Sequence, residues 1–222
     1  MIRAVLFDMD GLIVDTEPIH FKAFRAFVRD FGHEMPESLM AGFVGYPESE
    51  NIRDLQRMFK IEGPLDEMVA RRRAWYQRLA EEEPIIVFPG FWELSDEARR
   101  RGLKQAVVSS STAPQVEVVL RRLFQKHAER GKPEEYFDAI VNGDEVPNNK
   151  PAPDIYAEAA ARLGVRPEEC LAFEDTPAGV RAATEAGAIA IAVPNDYSRG
   201  QDFPGAHATI ASLREGIGCL DL

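Results

Sequence analysis

From residue 106 onward, short apolar runs alternate with amphipathic stretches, and this alternation limits the fold more than any other feature of the chain. Ala106-Val107-Val108-Ser109, Asp138-Ala139-Ile140-Val141, Cys170-Leu171-Ala172-Phe173 and residues 188–193 read as strands. Helical stretches over 113–128, 154–163 and 177–186 separate them, and Ala208-Thr209-Ile210 is a candidate last strand. Such repetition predicts an α/β protein with a doubly wound parallel sheet, Rossmann-like in character. An earlier run, Ala4-Val5-Leu6-Phe7, has no polar interruption, which suits a central strand of the same sheet covered on both faces.

Between that first strand and the later ones the pattern is helical only. Residues 18–31 carry an apolar stripe of Ala23, Phe24, Phe27, Val28 and Phe31. A helix begins at Pro47 and another covers 65–83 with a stripe of Leu65, Met68, Val69, Tyr76 and Leu79. Residues 1–15 and 86–222 are therefore predicted to form the α/β core, and 16–85 an inserted all-helical domain. The connections near 14–17 and 84–90 are candidate hinges.

The first strand runs into Asp8-Met9-Asp10-Gly11. Open α/β sheets bind ligands at the carboxyl ends of their strands, which is where Asp8 falls. Asp10 lies two residues on, on the same side by the period of extended chain. Two carboxylates so close repel unless a cation lies between them or one holds a proton. That invites a hard metal ion and acid/base chemistry. A calcium loop of EF-hand type is excluded, because its fifth and sixth positions would be Leu12 and Ile13. A plain acidic turn remains open from this stretch alone.

Each later strand also ends in polar residues, and those ends converge on one crevice. After the second strand comes Ser109-Ser110-Ser111-Thr112, followed by Pro114. Helix capping accounts for Ser111 or Thr112 but not for Ser109 at the strand end. Lys150 lies in Asn148-Asn149-Lys150-Pro151-Ala152-Pro153-Asp154, where flanking prolines hold the backbone extended. Phe173-Glu174-Asp175-Thr176-Pro177 ends another apolar strand. Thr176 and Pro177 start a helix, which leaves Glu174 and Asp175 unexplained. With Asp8 and Asp10 they make an oxygen-rich site that suits Mg²⁺.

Together these positions resemble the haloacid dehalogenase superfamily, in its β-phosphoglucomutase-like and sugar-phosphatase branch. Asp8-Met9-Asp10-Gly11 resembles the first motif, Ser109 the second, Lys150 the third and Glu174-Asp175 the fourth, and the helical insert matches the small cap after the first motif. The resemblance implies a Mg²⁺-dependent phosphatase for a small phosphorylated metabolite, such as a sugar or polyol phosphate. Asp8 would be the nucleophile that becomes an aspartyl-phosphate. Asp10 would be general acid and then base, its backbone carbonyl also on the metal. Ser109 and Lys150 would hold the transferring phosphoryl oxygens, and Glu174 and Asp175 the metal. Asp10 argues against a true haloacid dehalogenase, which lacks this second acid. A phosphonatase uses a cap lysine, and Lys22 and Lys60 are poorly placed for that.

Thr16, His20, Gly45, Arg72 and Ser110 are the candidate substrate contacts. His20 and Arg72 interrupt apolar stripes, and a histidine and a basic residue occupy matching cap positions in the β-phosphoglucomutase pattern. There a cap-loop arginine grips a second phosphate; here the loop reads Gly45-Tyr46-Pro47-Glu48. A carboxylate at that helix start competes with phosphate, which favours a phosphatase over the alternative, a phosphosugar mutase. Arg53, one turn on, keeps bisphosphates open. A non-catalytic binding or regulatory protein on the same fold is the alternative of another class; it would be expected to have lost one of Asp8, Asp10, Lys150 or Asp175.

Among 222 residues the formal net charge is −11, which argues against nucleic acid and anionic membranes as partners. The two cysteines, Cys170 and Cys219, give no metal spacing and no disulfide framework. No apolar run approaches a membrane span and no signal peptide is evident. The expectation is a cytoplasmic protein, monomeric or weakly dimeric.

Overall fold

The predicted central strand is the centre of the sheet. In the computed structural model, which describes residues 1–43 and 46–222, β1 (Ala4–Phe7) lies between β2 (Lys104–Val108) and β4 (Cys170–Glu174). With β3 (Ala139–Val141), β5 (Ile189–Ala192) and β6 (Ala208–Thr209) they form a six-stranded sheet in the order β3-β2-β1-β4-β5-β6. Every pairing is parallel. The strand order reverses between β1 and β4, where an open parallel sheet makes its binding crevice. Phe7 pairs with both Val107 and Phe173, so the chain leaves β1, β2 and β4 at one level.

Two compact units make up the chain: Met1–Asp15 with Ile85–Leu222, and Thr16–Pro84. In the first, helices cover both faces of the sheet. Ala4 and Leu6, Ala106 and Val108, and Cys170 and Ala172 point to α7 (Asp154–Leu163) and α8 (Pro177–Ala186). The small residues on these strands and helices allow close approach. On the other face Phe7 stacks on Phe173 at 5.8 Å and meets Phe91 of α4 (Phe91–Arg100) edge-on at 5.4 Å. The same unit holds α5 (Ala113–Lys126) and the short α6 (Pro133–Tyr136) and α9 (Gly216–Cys219).

One strand begins earlier than its apolar run. β2 starts at Lys104, two residues before Ala106, because its polar residues are satisfied in place. The Gln105 N–H donates to Asp138 Oδ2 at 2.8 Å. Its buried amide accepts at Oε1 from Ser95 Oγ at 2.6 Å and donates from Nε2 to the Ser95 carbonyl at 3.1 Å. A buried amide so paired no longer carries a desolvation penalty.

The second unit is helical: α1 (Glu17–Arg29), α2 (Glu48–Phe59) and α3 (Leu65–Glu82). Phe24, Phe27 and Val28 of α1 pack with Ile52 and Leu55 of α2 and Met68 of α3. Among the described residues, no helix is long and apolar enough to cross a membrane.

Candidate active site

Asp8 follows β1 directly, Glu174 ends β4 and Asp175 comes next. All three are buried, at 5%, 0% and 2% exposure. One carboxylate oxygen from each lies within 4.8 Å of the other two. Three buried anions at that spacing require positive charge, and the Lys150 ammonium supplies it. Lys150 pairs with Asp8 Oδ1 and, at 2.7 Å, with Glu174 Oε1, and donates to the Val108 carbonyl at 3.0 Å.

Burial pushes the Asp8 carboxyl well above the ordinary aspartate value; Lys150 opposes the shift, while Glu174 and Asp10 add to it. For Lys150 burial works against the ammonium, but Asp8 and Glu174 outweigh it and the pKa is raised. Tyr156 of α7 completes this group: its hydroxyl donates to Glu174 Oε1, and its ring centroid lies 5.2 Å from the lysine nitrogen. From the sequence Tyr156 is one more residue on the buried face of a helix. Only its reach to Glu174 distinguishes it.

Asp10 is held apart from the cluster. Ser109 Oγ and Ser111 Oγ each donate to Asp10 Oδ2 at 2.9 Å. Of the two residues that helix capping accounts for, Ser111 or Thr112, the structure gives the helix start to Thr112, whose N–H donates to Gln115 Oε1 at 3.0 Å, and Ser111 to Asp10. The Ser109 side chain is fully buried, and Ser110 is exposed in the turn between them. A Cβ on Gly143 would come within 2.3 Å of the Ser110 carbonyl. The Gly143 N–H instead donates to the Ser111 carbonyl at 2.9 Å, and Asn149 Nδ2 donates to the Gly143 carbonyl at 3.2 Å. The serine loop and the Lys150 loop thus interlock through one glycine.

Two more glycines make room for carboxylates. Gly179, in the first turn of α8, lies where a Cβ would be 2.0 Å from Glu174 Oε2. Gly11 has φ of +84°, and a Cβ there would be 2.3 Å from Asp175 Oδ2. Asn195, in the loop after β5, donates from Nδ2 to the Gly11 carbonyl at 2.9 Å and to Asp175 Oδ2 at 2.8 Å. No sequence pattern marked Asn195.

A cluster of Asp8, Glu174 and Asp175 fits a hard divalent cation: the donors are carboxylate oxygens, buried and mutually repelling. The Asp10 side chain instead accepts from the two serines.

In the helical unit Arg72 is 1% exposed. Nη1 donates to Glu48 Oε1 at 2.8 Å, and Nη2 to His20 Nδ1 and the His20 carbonyl. The guanidinium carbon lies 4.2 Å from the centroid of the Phe24 ring. Because a guanidinium only donates, His20 Nδ1 accepts and its ring proton is on Nε2. Glu48 also takes a hydrogen bond from Arg73 Nε at 2.7 Å. Arg72 therefore already has an anionic partner, Glu48 of its own unit. Thr16 is buried just before α1, and Gly45 lies outside the described residues.

Burial raises the Glu48 carboxyl, but Arg72 and Arg73 outweigh it and leave it lowered. A lowered carboxyl adds stability above its ordinary value of 4.5, lost as the pH falls through its folded value. Glu48→Gln strands the buried Arg72 charge and is expected to destabilise the protein by about 3 kcal/mol at neutral pH. Urea unfolding measures it, and the gap to the parent should narrow in acid; an unchanged midpoint would contradict the pairing.

A family model for haloacid dehalogenase-like hydrolases matches residues 2–187. The chain belongs to that family. It is 34% identical over 229 residues to protein CbbY of Rhodobacter capsulatus, covering 96% of this chain and 94% of that one. It is 35% identical over 185 residues to a phosphorylated carbohydrates phosphatase of Thermotoga maritima, covering 83% and 82%. Among solved structures, a CbbY variant from Rhodobacter sphaeroides in complex with xylulose-1,5-bisphosphate matches with a TM-score of 0.83 at 31% identity, over 97% of this chain and 96% of that one.

Proposed function

We propose that the protein is a Mg²⁺-dependent phosphatase that hydrolyses a small phosphorylated sugar or polyol through an aspartyl-phosphate on Asp8. The observation that carries this reading is the juxtaposition of Asp8, Glu174 and Asp175 around the Lys150 ammonium, with Asp10 held separately by two serines. The names of the relatives, a carbohydrate phosphatase among them, support the substrate class.

Phosphoryl transfer needs positioning and neutralised charge more than covalent machinery. The Asp8 carboxylate attacks phosphorus, the ester oxygen leaves, and a mixed anhydride forms on Asp8. Asp10 protonates that oxygen, then takes a proton from the water that cleaves the anhydride. Lys150 offsets the phosphoryl charge beside Asp8. Like charges about 4 Å apart repel by about 4 kcal/mol at an effective dielectric of 20, so a phosphate dianion needs further positive charge here. Asp8, Glu174, Asp175 and the Asp10 carbonyl would hold Mg²⁺, which would supply that charge when bound. Ser110, at the exposed end of the serine loop, and Thr16 and His20 are the proposed substrate contacts. Arg72 acts through His20, because its charge is already answered by Glu48. Glu48, where the mutase pattern has a cap-loop arginine for a second phosphate, disfavours a mutase.

Exhaustive chelation is expected to abolish phosphate release from a panel of sugar phosphates, and Mg²⁺ to restore it. Full turnover without metal would refute the metal role. Conversion of a hexose 1-phosphate to its 6-phosphate without net phosphate release would instead favour the mutase, and a well-folded parent inert even to aryl phosphates would favour a binding protein.

A further inference from the structure

We propose that Asn195 is a positioning residue that fixes Asp175 for cation binding and ties it to the loop carrying Asp8 and Asp10. The inference rests on the metal reading above and adds to it a residue from outside the four motif regions. Asn195 is 7% exposed, and both ends of its amide are used. Oδ1 accepts from the Tyr197 N–H at 2.8 Å and the Ser198 N–H at 3.1 Å. Its own N–H donates to Ser198 Oγ at 3.1 Å. Those two backbone groups only donate, so the amide oxygen must face them and the NH₂ must face the other way. There it meets two acceptors, the Gly11 carbonyl and Asp175 Oδ2.

Only a glycine lets this happen. A side chain at position 11 would put its Cβ 2.3 Å from Asp175 Oδ2 and 2.8 Å from Asn195 Nδ2. The first turn after the Asp8 loop, the residue after β4 and the loop after β5 are therefore joined at one amide. The chemistry of the donor also matters. Asp175 lies beside two other buried carboxylates, whose like charge would turn it away without a fixed partner. A lysine in place of Asn195 would hold it but would compete with a cation for the same oxygens. A neutral amide orients the carboxylate and leaves its charge for the ion, as outer-shell partners of metal ligands do.

Mn²⁺ binding to the full-length protein, followed by the electron paramagnetic resonance of the free ion, tests this without reference to turnover. Asn195→Ala is expected to raise the Mn²⁺ dissociation constant about 10- to 100-fold, while KM for an aryl phosphate at saturating metal stays parental. Ser198→Ala, which loosens the turn without touching Asp175, is expected to shift the constant in the same direction by about tenfold. Parental Mn²⁺ affinity in a folded Asn195→Ala overturns the inference. If Asn195→Ala fails to fold, parental affinity in Ser198→Ala overturns it. Asp175→Asn separates the two readings: if it binds Mn²⁺ as the parent does, the metal site is wrong. If it loses Mn²⁺ while Asn195→Ala keeps it, only the role of Asn195 is wrong.

Discussion

Asp8→Asn is expected to lower turnover by about 10⁴-fold or more, the scale on which removal of a nucleophile acts, and to leave the metal-free protein no less stable than its parent at neutral pH. The two halves have one cause. Burial holds the Asp8 carboxyl well above its ordinary value of 3.8, against the pull of Lys150. A carboxyl raised in the folded state adds stability below its unfolded value, and loses it as the pH rises through the folded one. At neutral pH the ionised Asp8 is thus a liability in the metal-free fold, and asparagine, shaped like the protonated acid, removes it. For the proposed nucleophile, weakening its own fold is a common trade between stability and activity. Thermal melting in chelator, set beside turnover in Mg²⁺, reads both halves. A folded Asp8→Asn that turns over near the parental rate would sink the enzyme assignment.

Lys150→Met is expected to be damaging in both respects. The ammonium is buried and bonded to Asp8, Glu174 and the Val108 carbonyl. Methionine fills similar space but leaves Asp8 and Glu174 facing each other without a counter-charge. Breaking a buried pair in this way destabilises by about 3–5 kcal/mol. Turnover should fall about 10²- to 10³-fold, as when a preorganised donor to developing charge is removed. Mg²⁺ should recover part of the lost stability, because a cation among the carboxylates restores the missing charge. A double-mutant cycle sharpens the expectation. Asp8→Asn should stabilise the Lys150→Met protein more than it stabilises the parent, with a coupling of about 0.5–3 kcal/mol. Additive effects would show that Lys150 and Asp8 do not communicate through charge.

Much of this site was readable because its residues have no structural reason to be where they are. An acid after four apolar strand residues, as at Asp8, or two acids ending another strand, as at Glu174 and Asp175, would be expensive without a task. Periodicity and strand ends therefore located them, and the parallel order brought them together. What the sequence hid falls into two physical kinds. Tyr156 and Ser111 had adequate local explanations, a buried helix face and a helix start, and only the fold reveals their contacts with Glu174 and Asp10. Asn195 acts through close approach between segments far apart in the chain, and so does the room that Gly11 leaves for Asp175, which no local pattern encodes.

The helical unit shows the same limit. Arg72 stood out as a cation inside an apolar stripe, and a buried guanidinium does need an anion. Its anion is Glu48, on another helix. One helix read alone does not show that packing α2 beside α3 turns that carboxylate toward Arg72 and Arg73.

The phosphoryl group is expected to pass through Asp8. Quenching the turning-over enzyme with borohydride, which reduces an acyl phosphate to the alcohol, should convert Asp8 to homoserine in the peptide that carries it, and only when Mg²⁺ and a phosphorylated substrate are both present. Homoserine at another carboxylate, or none while phosphate is being released, would contradict it.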